Sequence, residues 1–323
     1  MKETDELYMK RCLFLAQKGL GATAPNPMVG AVIVVGGEIV AEGWHRQYGG
    51  PHAEIDAINN LIDKELLKQA TMYVNLEPCS HFGKTPPCAN TLVSYGIKKV
   101  VIGSADPNPK VNGQGIGILK DAGVEVVTDV LKNECDFLNR RFFTFHQKKR
   151  PYIILKWAQT QDGFMDILRP DPDKNYKYWI TNDELRTLSH KWRSEESAIL
   201  IGYNTFKNDN PQLTNRLYSG KNPIPIVLSR DNVKIGDEMY ALKSGEDSLS
   251  EVLELLHSKS VQSVIVEGGR KTLDSFLDKG LYDEIRVLTG GQKWGAGAVA
   301  PSVAAEPDKE FSAGDNRVEI YYR

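Results

Sequence analysis

The sequence predicts an α/β chain built from two successive layered domains. Apolar strand-like runs alternate with segments of helical periodicity along its length, the pattern of sheets covered by helices. At 323 residues the chain exceeds one typical domain. The basic stretch Gln147-Lys148-Lys149-Arg150, followed by Pro151, reads as a linker between residues 1–147 and 151–323.

The elements follow in order. Asp5 to Lys18 places Leu7, Cys12, Leu13, Leu15 and Ala16 at amphipathic-helix positions. Met28 to Val35 is an apolar strand, turned by Gly36-Gly37 into a second strand, Ile39 to Trp44. A helix opens at His52 and runs to Leu61, and Thr71 to Leu76 is the next strand. Pro87-Cys88 starts a helix ending near Gly96. Strands Val100 to Gly103 and Val124 to Val127 flank a helix over Gly115 to Ala122. After the linker come strand Tyr152 to Trp157, helix Asp183 to Arg193, and strands Ala198 to Ile201 and Pro225 to Leu228. Helix Leu249 to Ser258, strand Ser263 to Val266, a Gly268-Gly269 turn, helix Lys271 to Asp278 and strand Glu284 to Leu288 complete the series. No repeat or low-complexity tract interrupts it.

Apolar residues make up 41%, enough for two cores, and the formal net charge is −2. This balance, with no long basic run, argues against nucleic-acid and membrane-surface binding. No apolar run approaches the ~18 residues of a membrane span. The N-terminal Met-Lys-Glu-Thr-Asp-Glu has no signal-peptide core, so a cytoplasmic location is expected. A reducing compartment disfavours disulfides among the four cysteines. Cys12 and Cys135 lack ligand-like neighbours and read as buried thiols.

His52-Ala53-Glu54, then Pro78-Cys79 and Cys88, carries the chemistry. One histidine and two cysteines suit zinc, and a three-ligand shell keeps a fourth position open for water. Zinc lowers the pKa of that water to roughly 7. Glu54 lies two residues from His52, where it can shuttle a proton from the water to a leaving amine, as in zinc deaminases. His52 and Cys88 are placed at helix starts, which favour the thiolate that zinc needs. The alternative is a structural zinc knuckle closed by a fourth ligand, for which His81 is the candidate. Such a site has no use for Glu54.

The string Leu76-Glu77-Pro78-Cys79-Ser80-His81-Phe82-Gly83-Lys84-Thr85-Pro86-Pro87-Cys88 resembles the deaminase domain of the bifunctional deaminase/reductases of riboflavin biosynthesis. Eight residues separate the cysteines, where cytidine-type deaminases have two. Pro25-Asn26-Pro27-Met28-Val29-Gly30 and Gly43-Trp44-His45 match the same pattern. The resemblance implies a cytidine-deaminase-like three-layer domain. It also implies a diaminopyrimidinone ribose-phosphate substrate held by Asn26, His45, His81 and Lys84.

The second half resembles the reductase domain of that family, which is similar to dihydrofolate reductase. The matching residues are Lys156-Trp157-Ala158 with Asp162-Gly163, Trp179-Ile180-Thr181, and the helix bearing His190 and Arg193. Gly202-Tyr203-Asn204-Thr205, Asp209 through Arg216, and Glu267-Gly268-Gly269 extend the match. The resemblance implies NADPH as cofactor, contacted by Trp179, Thr205, Asp209, Gly268, Gly269, Arg270 and Thr272. A glycine turn opening a helix can cradle phosphate. Substrate is implied at Lys156, Arg193, Leu213, Arg216 and Glu267, with the two arginines on the ribose phosphate.

Two segments depart from the family pattern. Lys177 stands where a serine is usual, after the polar insert Asp171-Pro172-Asp173-Lys174-Asn175, and Gly290 through Gly297 match poorly. The implied activity is hydrolytic deamination of the pyrimidine followed by NADPH-dependent reduction of its ribose. The implied assembly is a homo-oligomer formed through the reductase domain.

Overall fold

The computed structural model describes residues 2–80, 86–108, 111–167, 178–229, 240–243 and 249–323. His81, Lys84, Lys177 and the 171–175 insert lie outside the described residues. The chain divides into two compact units, Met1–Lys148 and Lys149–Arg323.

The first unit runs α1 (Lys2–Gln17), β1 (Gly30–Val35), β2 (Glu38–Trp44), α2 (Ala53–Asn60), a 3₁₀ turn (Lys64–Gln69), β3 (Thr71–Leu76), α3 (Cys88–Ser94), β4 (Lys99–Ser104), α4 (Gln114–Asp121), β5 (Glu125–Val127), α5 (Lys132–Leu138) and α6 (Arg140–Lys148). Its sheet has the order β2-β1-β3-β4-β5. β3, β4 and β5 are parallel, and β1 is antiparallel to both β2 and β3. Val100 and Ile102 of β4 enter a core with Ala57, Ile58, Leu92 and Leu119. Val101 between them enters a second core with Met9, Cys12, Leu15 and Cys135. Alternate residues thus serve opposite faces, which is why the strand reads as one unbroken apolar run. Helices cover both faces, giving three layers. Cys12 and Cys135 are buried thiols, as expected.

The expected linker begins too early. Gln147 and Lys148 continue α6, where Phe142 and Phe145 are buried and anchor the helix. Its charged end mimics a linker because the apolar contacts lie a turn earlier. The helix stops at Lys149, whose φ of 55° is left-handed.

The second unit runs β6 (Tyr152–Gln159), β7 (Phe164–Asp166), α7 (Asp183–Glu195), β8 (Ala198–Gly202), α8 (Tyr203–Asp209), β9 (Ile224–Ser229), β10 (Tyr240–Lys243), α9 (Leu249–Ser258), β11 (Ser263–Val266), α10 (Arg270–Asp278), β12 (Glu284–Thr289), β13 (Ala298–Val299), β14 (Lys309–Ala313) and β15 (Asn316–Tyr322). The main sheet has the order β10-β9-β8-β11-β6-β12-β15-β14. From β10 to β12 neighbouring strands are parallel, and β15 and β14 add antiparallel. Ile153, Leu155 and Trp157 of β6 enter one core, and Tyr152 and Ile154 the other.

Asn182 caps α7 by accepting from the Leu185 N–H at 3.0 Å, and Asp183 and Glu184 favour its positive end. α8 and the β14–β15 hairpin go beyond the elements expected from sequence. In β15, Val318 and Ile320 face the core while charged Arg317 and Glu319 alternate with them, so the apolar signal is halved.

The poorly matched 290–297 segment is tied back to the β6–β7 turn. The Asp162 carboxylate accepts from the Trp294 and Gly295 N–H groups, and Gln161 N–H donates to the Gln292 carbonyl. β13 then pairs antiparallel with β7.

Gly43 lets β2 lie against α2, because a Cβ there would run into the backbone of Ala53, Asp56 and Ala57. Gly43→Ala is expected to cost about 1–3 kcal/mol by overpacking. The urea midpoint of the first unit should fall accordingly, and an unchanged midpoint would contradict this packing.

Candidate active sites

His52 precedes the first residue of α2, Cys79 follows the end of β3, and Cys88 is the first residue of α3. These three were expected together, and their ligand atoms lie within 4.8 Å of one another. His52 Nδ1 is 3.5 Å from Cys79 Sγ and 3.4 Å from Cys88 Sγ. Zinc–sulfur and zinc–nitrogen bonds of about 2.3 and 2.0 Å at a tetrahedral angle separate N and S by about 3.5 Å. The set therefore fits zinc through Nδ1 with little movement.

Its electrostatics suit a cation. A hydrogen bond from Cys88, then His52, draws the Cys79 thiol down to about 4, while Cys88 is pushed up. The bond to Cys79 raises His52 to about 9. Such a set exchanges protons for a divalent metal. Glu54, 3% exposed, is pushed up to about 7 by burial, against the opposing pull of His52.

Asn26 and His45 were also expected here, and the structure brings them together. Asn26 Nδ2 is 3.1 Å from His45 Nε2, and His45 Nδ1 is 2.8 Å from the Pro51 carbonyl. A carbonyl only accepts, so Nδ1 carries the proton and Nε2 accepts from Asn26. Burial lowers the His45 pKa, keeping this neutral form. The His45 and His52 rings meet edge-on at 5.5 Å.

Several supporting residues escaped the sequence reading. Buried Glu77 accepts from the N–H groups of Asp106, Gly113 and Ile116 at 3.0–3.1 Å, fixing the strand end that delivers Cys79. Asp106, pushed up to about 6 chiefly by burial, feels both Glu77 and Cys79. Asn75 and Asn139 hold both backbone groups of Met28 and the N–H of Gly30, bracing the Asn26 loop. Only the burial of these polar side chains could have marked them, and burial is not written in a local pattern.

In the second unit the expected residues gather at the C-terminal ends of parallel strands, where open α/β sheets bind ligands. Glu267, just past β11, takes a two-pronged bond from Arg193 of α7 at 2.8 and 2.7 Å. Lys156 of β6 stands 3.6 Å from the same carboxylate. Burial pushes Glu267 up, but Arg193 and Lys156 outweigh it and hold the carboxyl at about 2. Arg193 also donates Nη1–H to the Thr214 carbonyl at 3.0 Å. Three of its five N–H groups are thus engaged, and two remain for a ligand. Leu213 is sealed in the core in left-handed backbone, φ 54°. Arg216 is exposed.

Of the expected cofactor residues, Thr205, Gly268, Gly269 and Thr272 come together between two helix starts. Gly202 N–H donates to the Gly268 carbonyl at 2.8 Å, joining the turn before α8 to the turn before α10. A Cβ on Gly202 would strike Thr272 Oγ1, and one on Gly269 would meet Thr205 Oγ1 at 2.9 Å. Two helix starts beside bare glycine backbone are suited to a dinucleotide's phosphates. Trp179 is exposed, with the Arg186 guanidinium 3.9 Å above its ring. Arg270 is engaged by Asp274 and the Val299 carbonyl. Asp209 ends α8.

Residues 2–104 match the model of the cytidine and deoxycytidylate deaminase zinc-binding region, and residues 151–310 match that of the RibD C-terminal domain. The chain is 39% identical over 328 residues to the riboflavin biosynthesis protein RibD of Aquifex aeolicus, covering 92% of this chain and 90% of that protein. The RibD of Actinobacillus pleuropneumoniae is 40% identical, with 90% and 86% covered. The crystal structure of a diaminohydroxyphosphoribosylaminopyrimidine deaminase/5-amino-6-(5-phosphoribosylamino)uracil reductase from Thermotoga maritima superimposes with a TM-score of 0.86. It is 36% identical, with 100% of this chain and 99% of that one covered. With both halves of the fold and full-length relatives in agreement, the chain belongs to the RibD family, the bifunctional deaminases and reductases of riboflavin biosynthesis.

Proposed function

We propose that His52, Cys79 and Cys88 hold zinc and that Glu54 is the proton shuttle. In this reading the first unit hydrolyses the ring amine of 2,5-diamino-6-ribosylamino-4(3H)-pyrimidinone 5′-phosphate. The observation that carries it is the convergence of three soft ligands beside a buried carboxyl poised near 7. Zinc, when bound, supplies a water acidic enough to react at neutral pH. Glu54 accepts a proton from that water and returns one to the leaving amine, a task best served by a pKa near the working pH. Asn26 and His45, locked to each other, orient the pyrimidine, with His81 and Lys84 adding donors. A structural knuckle is disfavoured because Glu54 would be buried there without purpose.

The second unit reduces the ribose to the ribityl chain. NADPH, when bound, supplies the reducing equivalents, and the protein orients the partners. Trp179, Thr205, Asp209, Gly268, Gly269, Arg270 and Thr272 hold the cofactor. Lys156, Leu213 and Glu267 line the sugar, and Arg193 and Arg216 take its phosphate. Glu267 leaves two Arg193 N–H groups for that purpose. The chain works in the cytoplasm as a homo-oligomer joined through its reductase half, without nucleic-acid or membrane partners. The near-neutral charge supports this reading, and no described helix is long and apolar enough to cross a membrane. Light scattering tests the assembly.

Elemental analysis should find one zinc per chain, and a metal-edge spectrum should show one nitrogen and two sulfur protein ligands. A shell closed by His81 would sink the catalytic reading. Glu54→Gln should keep the zinc and lose at least the ~10²-fold typical of general acid–base catalysis, while reduction of pre-deaminated substrate persists. Cytidine and tRNA, offered in parallel, should not be deaminated.

Arg216→Ala should lower kcat/KM for the deaminated pyrimidine roughly ten- to hundredfold, from about 1.5–3 kcal/mol for a charged hydrogen bond. NADPH affinity, read by fluorescence titration, should change much less. The opposite split would reverse the division of this site.

Glu267 sets an acid limit. Its folded pKa of about 2 lies below the ordinary 4.5. The linked stability is therefore full above about pH 4.5 and drains as pH falls toward about 2. Glu267→Gln should flatten this loss, seen as a smaller drop in urea stability between pH 5 and pH 3. An equal drop in both proteins would show that the carboxylate is not so held.

A further inference from the structure

We infer that His190 is a further substrate-binding residue of the reductase site, offering Nε2–H as a neutral donor to the sugar-phosphate oxygens. The inference rests on the reading of Arg193 and Arg216 as the phosphate grip. It adds a residue which that reading does not use.

His190 lies on α7, three residues before Arg193, so the two side chains share a face one turn apart. Arg193 is fixed by Glu267 and the Thr214 carbonyl, and that fixes the location of His190. The ring lies within the electrostatic reach of Arg193, Arg216, Glu267 and Lys156, all the charged groups of the candidate substrate site. It is 5% exposed, and its Nδ1 is sealed from solvent without a hydrogen-bond partner. Native proteins leave few buried polar atoms unpaired, and each one calls for an explanation such as a functional role or a bound water.

The orphaned atom also indicates where the proton sits. In the backbone an orphaned buried N–H is rarer than an under-satisfied acceptor, and we extend the same preference to the ring. Nδ1 is therefore the bare lone pair, and the single proton is on Nε2. Burial, then Arg193 and Arg216, lowers the His190 pKa to about 4, so the ring stays neutral at physiological pH. A neutral N–H donor differs usefully from a third cation here. It can hydrogen-bond a phosphate or hydroxyl oxygen without adding repulsion among Arg193, Arg216 and Lys156. Thr214 Oγ1, also unpartnered, belongs to the residue whose carbonyl receives Arg193. Two residues with an unsatisfied polar atom, His190 and Thr214, thus belong to the same site as Arg193.

The test compares His190→Leu and His190→Gln in the full chain, reducing the deaminated pyrimidine phosphate with NADPH. His190→Leu removes the donor and should raise KM roughly ten- to hundredfold, the scale of a hydrogen bond to a charged group. NADPH affinity and the deaminase reaction should be unchanged. His190→Gln retains a neutral N–H and should restore KM to within about threefold, a small fraction of that loss. A merely structural role would lower stability in both variants without this split. Wild-type KM in His190→Leu, or equal loss in both variants, overturns the inference.

Arg216→Ala, run alongside, separates the two levels of the argument. If it weakens substrate binding while His190→Leu does not, the phosphate grip stands and His190 falls. If neither variant affects KM, the site reading falls and takes this inference with it. Should His190→Leu fail to fold, ¹⁵N-histidine spectra of the wild-type chain decide. Saturation with the deaminated pyrimidine phosphate should shift the His190 Nε2 resonance while the ring stays neutral, and an unmoved resonance refutes the contact.

Discussion

The carboxylate of Glu77 is the fastening on which the metal cluster depends. It is buried and accepts from three backbone N–H groups, on Asp106, Gly113 and Ile116. A carboxylate so satisfied is cheap to bury, and three charge-assisted bonds make it costly to displace. The next two residues are Pro78 and Cys79, so the strand end that delivers one sulfur is clamped to the loop before α4 and to its first turn. The other two ligands come from α2 and α3, which are set by the core through Ala57, Ile58 and Leu92. The cluster is therefore positioned by elements that are rigid for reasons unrelated to zinc.

The second unit uses a carboxylate at the same topological place for a different purpose. Glu267 also follows the last residue of a parallel strand, but it faces side-chain cations rather than backbone donors. Removing both cations would leave the carboxylate buried and uncompensated. The arrangement spends Arg193 on alignment as much as on recognition, because most of its N–H groups are occupied within the fold. Arg216 is exposed, whereas Lys156, Arg193 and Glu267 are nearly closed to solvent.

Both units manage neutral imidazoles in charged surroundings, by different means. His45 is held by a carbonyl on one nitrogen and an amide on the other, so its tautomer is fixed by hydrogen bonds. His190 has no partner at Nδ1 and is kept neutral by burial and neighbouring cations. The first is a finished network, whereas the second has a polar atom still unsatisfied.

Glu54, His52, Cys79 and Cys88 were legible in the chain because zinc chemistry demands particular residue types near helix starts and strand ends, and those local signals are strong. The β3 and β11 strands were legible to the residue, since two-sided burial leaves largely apolar runs, interrupted within β3 by Asn75. Asn26 with His45, and Glu267 with Lys156 and Arg193, were named only through resemblance. Their pairing spans 19 to 111 residues of chain, as in Lys156 with Glu267, and no local period encodes it. Glu77, Asn75 and Asn139 became visible only in three dimensions, and His190, read in the sequence only as part of a matching helix, gained its role there. What marks each of them is the balance between burial and the partners it does or does not find, and that balance exists only once the sheet has brought distant segments together.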